Sequence, residues 1–455
     1  MRITNAIPIA VGFALIAVAC SGGDDPDEAA ADSADIVSAV DDSSTPADDV
    51  APPVAAGSFD LPGIESTPRE DVPSALDDKR DPSFPDPLVD VDAIRSGGPP
   101  PDGIPPIDDP LFENVGAVDW IGDTEPVMVI DIDGDARAYP IQVMTWHEIV
   151  NDTFGDRGVT VSYCPLCNSA IAYDRAVGDR VLDFGTSGSL FNSALVMYDR
   201  QTQSLWSHFT GQAIVGFLTG TTLDTIPVST TSFASFREAH PEGIVLSRDT
   251  GFSRDYGRNP YPGYDDVGTN PFLFDGPVDG RLPAKAKVVV VRGDDGPAVA
   301  VQHDMLLDEQ VVEFSAQGRD LVAVLERGTS SGLDQFEISS GRDVGATGVF
   351  VPEIDGVEVT LEPAETGFLD TSSGSTFDIF GRAIDGPLEG RQLEVVEHLD
   401  TFWFAIGAFD PETIVVGIDG RAERQNRSRE VFHHGDHHGA GLRSRQLARG
   451  EPRPG

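Results

Sequence analysis

One stretch of this chain occurs twice, and any fold must accommodate both copies. Gly211, Ala213, Ile214, Gly216, Gly220 and Leu223 return as Gly381, Ala383, Ile384, Gly386, Gly390 and Leu393, always 170 residues later. The register persists downstream, where Pro241, Glu242, Ile244 and Val245 match Pro411, Glu412, Ile414 and Val415, and Phe233 falls opposite Trp403. Upstream, Val127 to Ala138 resembles Val289 to Ala300, and each reads as strand, Asp/Gly turn, strand. A repeat of this length implies two related units.

Short β-prone runs dominate each copy. Val159 to Tyr163 reads as a strand, Ala170–Tyr173 and Val181–Phe184 flank a turn, and Ser193 to Tyr198 is a further strand. Pro140 suits a first helical position, which predicts a helix over Ile141 to Val150; Phe233 to His240 is the second, stopped by Pro241. The expectation is an α+β, β-rich fold of two pseudo-repeated lobes of short strands with a few helices, behind a flexible N-terminal tether. The divisions are a signal peptide at 1–19, a disordered acidic tether at 20–100, a first repeat at 101–253, a connecting segment at 254–287, a second repeat at 288–420 and a disordered Arg/His-rich tail at 421–455. The connecting segment opens on Arg254 to Tyr264, rich in Pro, Gly and Tyr, and reads either as a plain linker or as packing between the lobes.

The N-terminus has the form of an export signal: Arg2, an apolar run from Ile7 to Val18, then Ala17-Val18-Ala19-Cys20. The run falls short of the roughly 20 apolar residues of a membrane span. Small residues ending in Cys resemble a bacterial lipobox, although Ala17 stands where Leu is usual. The expectation is acylation of Cys20 and an extracytoplasmic protein anchored by lipid to the bacterial cell membrane. The formal net charge of −45, with three lysines (Lys79, Lys285, Lys287), excludes nucleic acid as a partner, because phosphate binding needs a basic surface. The tail contains His433, His434, His437 and His438, a tract that binds metals weakly and incidentally in most proteins.

With Cys20 assigned to lipid, two of the three cysteines remain: Cys164 and Cys167, in Tyr163-Cys164-Pro165-Leu166-Cys167-Asn168. Thiols at this spacing can form a redox-active disulfide, hold one ion from two directions, or make a structural bridge. One such pair cannot supply a four-thiolate zinc site within a monomer. The second copy has no Cys at the matching stretch, Leu325 to Thr329, and no His at Leu306 to Gln310, so the chemistry belongs to the first copy, with the second as its wall. His147 follows Met144 by three residues and precedes Asn151 by four, which shares one helix face. His147 is therefore the candidate third ligand or base, Glu148 its orienting carboxylate, and Met144 either a soft ligand or plain core. Trp206 reads as core and His208 as a bystander. Asp131, Asp133 and Asp135 read as a hairpin turn rather than a calcium loop, and Gly185 to Ser189 as a loop without the lysine of a phosphate site.

Taken in order, Trp146 to Asp152, Tyr163 to Ser169, Met197 to Thr202, Phe236 to Pro241, Arg254 to Gly257 and Phe402 to Ala405 resemble the domain-of-unknown-function 3179 family of bacterial exported proteins over most of Pro101 to Val416. The resemblance implies no established activity. Some relatives are regarded as selenoproteins, and a selenocysteine at a motif position would favour redox chemistry over structural metal binding. The leading expectation is a thiol–disulfide or metal-dependent redox centre at Cys164 and Cys167, with His147 and Glu148 in support and a redox partner. The alternatives are a non-catalytic module holding a copper or zinc ion on Cys164, Cys167 and His147, and a structural envelope protein with a single disulfide.

Overall fold

The strand that carries Cys164 alternates strictly, and that alternation organises the centre of the molecule. In the computed structural model, which describes residues 73–293 and 296–418 and a short strand at Val54–Ala55, it runs from Arg157 to Cys164. Val159, Val161 and Tyr163 enter one core, with Tyr139, Met144 and Val150. Cys164 enters another, with Ile171, Tyr173, Trp206 and Phe402. A period of two sends neighbouring side chains to opposite faces, so one strand serves two apolar interiors.

Each copy begins with an antiparallel hairpin and a short helix: β1 (Pro126–Ile132), β2 (Asp135–Pro140) and α1 (Ile141–His147) in the first. Next come β3 (Ile149–Phe154), β4 (Arg157–Cys164) and β5 (Ser169–Asp174). A third group is β6 (Phe184–Phe191), β7 (Ala194–Asp199), β8 (Leu205–Ser207) and β9 (Ala213–Val215). The copy closes with β10 (Thr225–Ile226), β11 (Ser229–Ser232), α2 (Phe233–Ala239) and β12 (Ile244–Leu246).

The second copy repeats the plan. Its opening is β13 (Lys287–Val291), β14 (Val299–Gln302), α3 (His303–Glu309), β15 (Val311–Ala316), β16 (Arg319–Glu326) and β17 (Ala346–Val351). Then follow β18 (Leu361–Pro363), β19 (Phe368–Asp370), β20 (Thr376–Phe377) and β21 (Ala383–Asp385). It ends in β22 (Glu394–Val395), β23 (Leu399–Phe402), α4 (Trp403–Phe409) and β24 (Ile414–Val416).

The sheets correspond strand for strand. The order β12-β2-β1-β11 matches β24-β14-β13-β23, β10-β5-β4-β3 matches β22-β17-β16-β15, and β9-β8-β7-β6 matches β21-β20-β19-β18. Both closing strands, β12 and β24, run parallel to their neighbours β2 and β14. The copies also pack reciprocally: β11 lies against β17, and its counterpart β23 lies against β5, the counterpart of β17. That exchange describes a pseudo-dyad. The fold is the β-rich α+β type expected, with four seven-residue α-helices among the described residues.

The repeated glycines have a physical reason. Gly211 and Gly381 adopt φ of +67° and +77°, and a Cβ on either would come within 2.5 Å of an aromatic ring, Tyr173 or Phe350. Gly216 and Gly386, at φ +112° and +92°, press equally closely on Ser204 and Ser375. Only glycine meets both demands. The Asp-rich hairpin is a turn as expected: Asp133 and Gly134 take positive φ, and the Gly134 N–H donates to Asp131 Oδ1 at 2.8 Å.

Three local expectations change. α1 ends at His147, because Glu148 swings to φ +59° and Ile149 already belongs to β3; Asn151 therefore shares no helix face with His147. Gly185 to Ser189 is strand, inside β6, with a register shift between Thr186 and Ser189. The third change is in the tether: its last part, residues 73–100, packs on the first copy, with Ala75, Val91 and Ile94 buried against Val196 and Tyr198 and Arg95–Ser96 paired to β6. Of its two expected forms the connecting segment takes the packing between the lobes: Trp146 Nε1 donates to the Arg258 carbonyl at 3.0 Å, the Asn259 N–H donates to the Phe336 carbonyl at 2.8 Å, and Tyr261 and Tyr264 lie against the core that holds the thiols. Cys20, the rest of the tether apart from Val54–Ala55, and the tail with its His tract lie outside the described residues. No helix among the described residues is long and apolar enough to cross a membrane.

Candidate functional site

Cys164 ends β4 and pairs with Ser169, the first residue of β5, so Pro165 to Asn168 form a four-residue hairpin loop. Asn168 closes it in the left-handed region at φ +51°. This turn brings both sulfurs to one face. Their exposure is 1% for Cys164 and 0% for Cys167, and both are free thiols. The loop's outer residues, Leu166 and Asn168, keep partial access to solvent.

The two thiols differ. Burial pushes Cys164 up, but hydrogen bonds from the Cys167 thiol and from the backbone N–H groups of Cys167, Leu195 and Leu166 prevail, and its pKa falls below the ordinary thiol value. Donors aimed at a sulfur favour its thiolate. Burial pushes Cys167 well up, and its bond to Cys164 and the charge on that sulfur add to the effect. One proton is thus held on Cys167 while Cys164 is the sulfur poised to ionise.

Cys167 Sγ lies 2.9 Å from Ser169 Oγ, which lies 2.9 Å from His208 Nε2; on the far side of the ring, Nδ1 is 2.8 Å from Ser162 Oγ. The ring is wholly buried, and desolvation together with the nearby Arg292 charge lowers its pKa to about 3, so it is neutral at neutral pH. A neutral imidazole donates at one nitrogen and accepts at the other. With Ser162 donating to Nδ1, Nε2–H donates to Ser169 Oγ, and Ser169 in turn donates to Cys167 Sγ, which leaves the Cys167 proton for Cys164. The second copy supplies the wall: Thr401 Oγ1 and the Phe402 N–H both donate to the Cys167 carbonyl, at 2.9 and 3.0 Å.

His147 is not part of this arrangement. Nδ1 faces the Pro105 carbonyl at 2.7 Å and Nε2 the Tyr256 hydroxyl at 2.6 Å, so both ring nitrogens are occupied away from the thiols. The reason is topological. α1 packs Ile141, Val143 and Met144 into the core on the Tyr163 face of β4, whereas the cysteines belong to the opposite core. Met144 is plain core. Among the described residues no three His, Cys, Asp or Glu side chains stand together as a metal site, so the set Cys164, Cys167 and His147 does not converge on one ion. Glu148 does not orient His147 either. Its buried carboxyl has a pKa well above the usual range, chiefly from desolvation and further from the Cys164 charge, which places a protonated acid in the electrostatic neighbourhood of that sulfur.

His208 is the site residue that the sequence reading passed over. Its partners Ser162 and Ser169 lie 46 and 39 residues away. The one signal available was the alternation of Ser162 and Cys164 on a single strand face.

A family model described as "Protein of unknown function (DUF3179)" matches residues 101–413, more than half of the chain. The chain belongs to this family. The curated proteins and the solved structures offer no match to it. Within the matched span lie the whole thiol turn, His208, the first copy and all of the second except its closing strand β24.

Proposed function

We propose that this member of the DUF3179 family is a redox-active dithiol protein of the bacterial envelope, held at the membrane by acylated Cys20. The observation that carries the reading is the opposite bias of two adjacent thiols: Cys164 lowered by donors converging on it, Cys167 raised and linked through Ser169 to a buried imidazole. That asymmetry suits an attacking and a resolving thiol.

In the exchange, Cys164 thiolate attacks one sulfur of a partner disulfide and expels the other as a thiolate. Cys167 then attacks Cys164 in the mixed disulfide, displacing the second partner sulfur, and its proton passes to one of the two partner sulfurs. The chain ends as a disulfide, the partner as one thiol and one thiolate. Because both sulfurs are buried, the step requires the loop at Pro165 to Asn168 to open. Ser169 and His208 keep the resolving thiol oriented until it does.

The test is equilibration of the full chain with glutathione buffers, reading the pair by mass-tagging. The reading expects reversible oxidation at a potential above about −300 mV. A dithiol that stays unreactive in the folded protein, or a disulfide that resists the glutathione pool, supports instead an inert structural pair, the second reading, which the near-zero exposure favours. Cys20→Ser is expected to move the protein from the membrane fraction to the soluble one.

A further inference from the structure

A second cluster of reactive side chains lies on the pseudo-dyad, on the opposite face of β4 from the thiols. A small pocket of about 60 Å³ opens there, bordered by Tyr163 and Asn168 of the first copy and by Lys287 of the second. Equivalent positions of the two copies line it in pairs: Ile141 with His303, Val228 with His398, and Thr230 with Asp400. The first copy contributes apolar or neutral groups at these positions, and the second contributes two imidazoles and a carboxylate. One half of the pocket is therefore oily and the other polar.

Lys287 begins β13, opposite Phe402 of β23, while Asp400 stands opposite Val289. The amine and the carboxylate are diagonal neighbours on one sheet face. Both oxygens of Asp400 accept from Thr347 Oγ1, at 2.9 and 2.8 Å. Among the described residues the Lys287 amine has no hydrogen-bond partner. The contrast with Lys285 is direct, since the Lys285 amine is tied to the Tyr264 carbonyl and the Thr269 hydroxyl.

We propose that the dyad pocket is a binding site for a small neutral aldehyde or ketone, which Lys287 captures as an imine. The amine attacks the carbonyl carbon, its proton moves to the carbonyl oxygen, and the resulting carbinolamine loses water as the C–O bond breaks and C=N forms. No oxidant or reductant is needed. The charge pattern selects the ligand: with Asp400 beside a single cation, an anion gains little, whereas a neutral carbonyl sets its oxygen among the polar groups and its alkyl part against Ile141 and Val228. Desolvation lowers the pKa of Lys287, reinforced by Arg342 and opposed by Asp265 and Asp400, and the adjoining His303 is held neutral with a pKa of about 3. A desolvated lysine keeps more of its nucleophilic free base at neutral pH.

The test uses the full chain, propanal and cyanoborohydride at neutral pH, with peptide mapping at the three lysines. Lys287 is expected to be alkylated at least about tenfold faster than Lys79, and to keep its advantage as the pH is lowered. Rates equal to or below that of Lys79 overturn the proposal. Val228→Phe fills the pocket from the first copy; in the folded variant, labelling of Lys287 is expected to drop to the level of Lys79, and unchanged labelling overturns the site. Anionic glyoxylate is expected to react more slowly than propanal at Lys287, and the reverse order would make this an anion site and refute the choice of ligand. None of these readouts involves the thiols, so the two proposals stand or fall separately.

Discussion

Cys164 and Cys167 sit in the same turn and the same apolar core, yet hydrogen bonds separate their chemistry. Three backbone N–H groups and one thiol converge on Cys164, whereas the hydrogen bond Cys167 receives from Ser169 only partly offsets its burial. Small thiosulfonate reagents at pH 7 are therefore expected to label Cys164 at least about tenfold faster than Cys167, and Cys164→Ser should leave Cys167 silent in the folded protein. Equal rates would remove the assignment of attacking and resolving roles. Ser169→Ala deletes a bond that favours the Cys167 thiolate, so the Cys167 pKa rises further. The expected outcome is slower resolution of a mixed disulfide with little change in its formation, read by stopped-flow trapping. At this scale the sequence revealed the sulfurs and not their relay. Thiol spacing is local, but the contacts of His208 with Ser162 and Ser169 depend on how three strands assemble. The same limit explains His147: helical spacing placed it near the motif in sequence, and the two faces of β4 then separated them.

At the level of elements, hairpins and helix starts were legible because turn residues and alternation are local signals. Helix ends were not. α1 stops at Glu148 and α3 at Gln310, both in the left-handed region at φ +59° and +57°, and neither residue is the usual Gly or Asn. The carbonyls of these two residues accept equivalent bonds, from Tyr163 N–H and Leu325 N–H, both at 2.8 Å. The repeat thus preserves a costly conformation while the side chain changes from amide to acid. Gln310→Gly should relieve that conformation and stabilise the fold by up to about 1 kcal/mol, measured by urea denaturation. A marked loss would show that the Gln310 side chain, which reaches the Leu325 carbonyl at 3.5 Å, matters more than the backbone. Glu148→Gly should relieve the same left-handed conformation at the end of α1, read in the same denaturation experiment.

Across the whole molecule, the two copies share one interior. Trp206 and Tyr173 of the first copy and Phe402 and Trp403 of the second lie in a single buried cluster, so the chain should unfold in one cooperative transition rather than copy by copy. Its pH dependence should carry the signature of two buried imidazoles. His208 and His303 each have a folded pKa of about 3 against an ordinary value of 6.5. Between those limits the unfolded chain binds more protons than the native one, so their contribution is complete above about pH 6.5 and is lost as the pH falls towards 3. Buried Glu148, Asp152 and Asp199 act in the opposite sense, since their raised pKa values give the native state extra protons above the ordinary carboxylate range. The total slope therefore mixes two signs, and a difference measurement isolates the histidines. His303→Asn removes one titrating ring, so near pH 5 its stability should change with pH less steeply than that of the wild type, by about 1.4 kcal/mol per pH unit, the value of one proton. Parallel stability curves for the two proteins would mean that the buried ring takes up its proton without unfolding, and that the second copy's polar half of the dyad pocket is open to water.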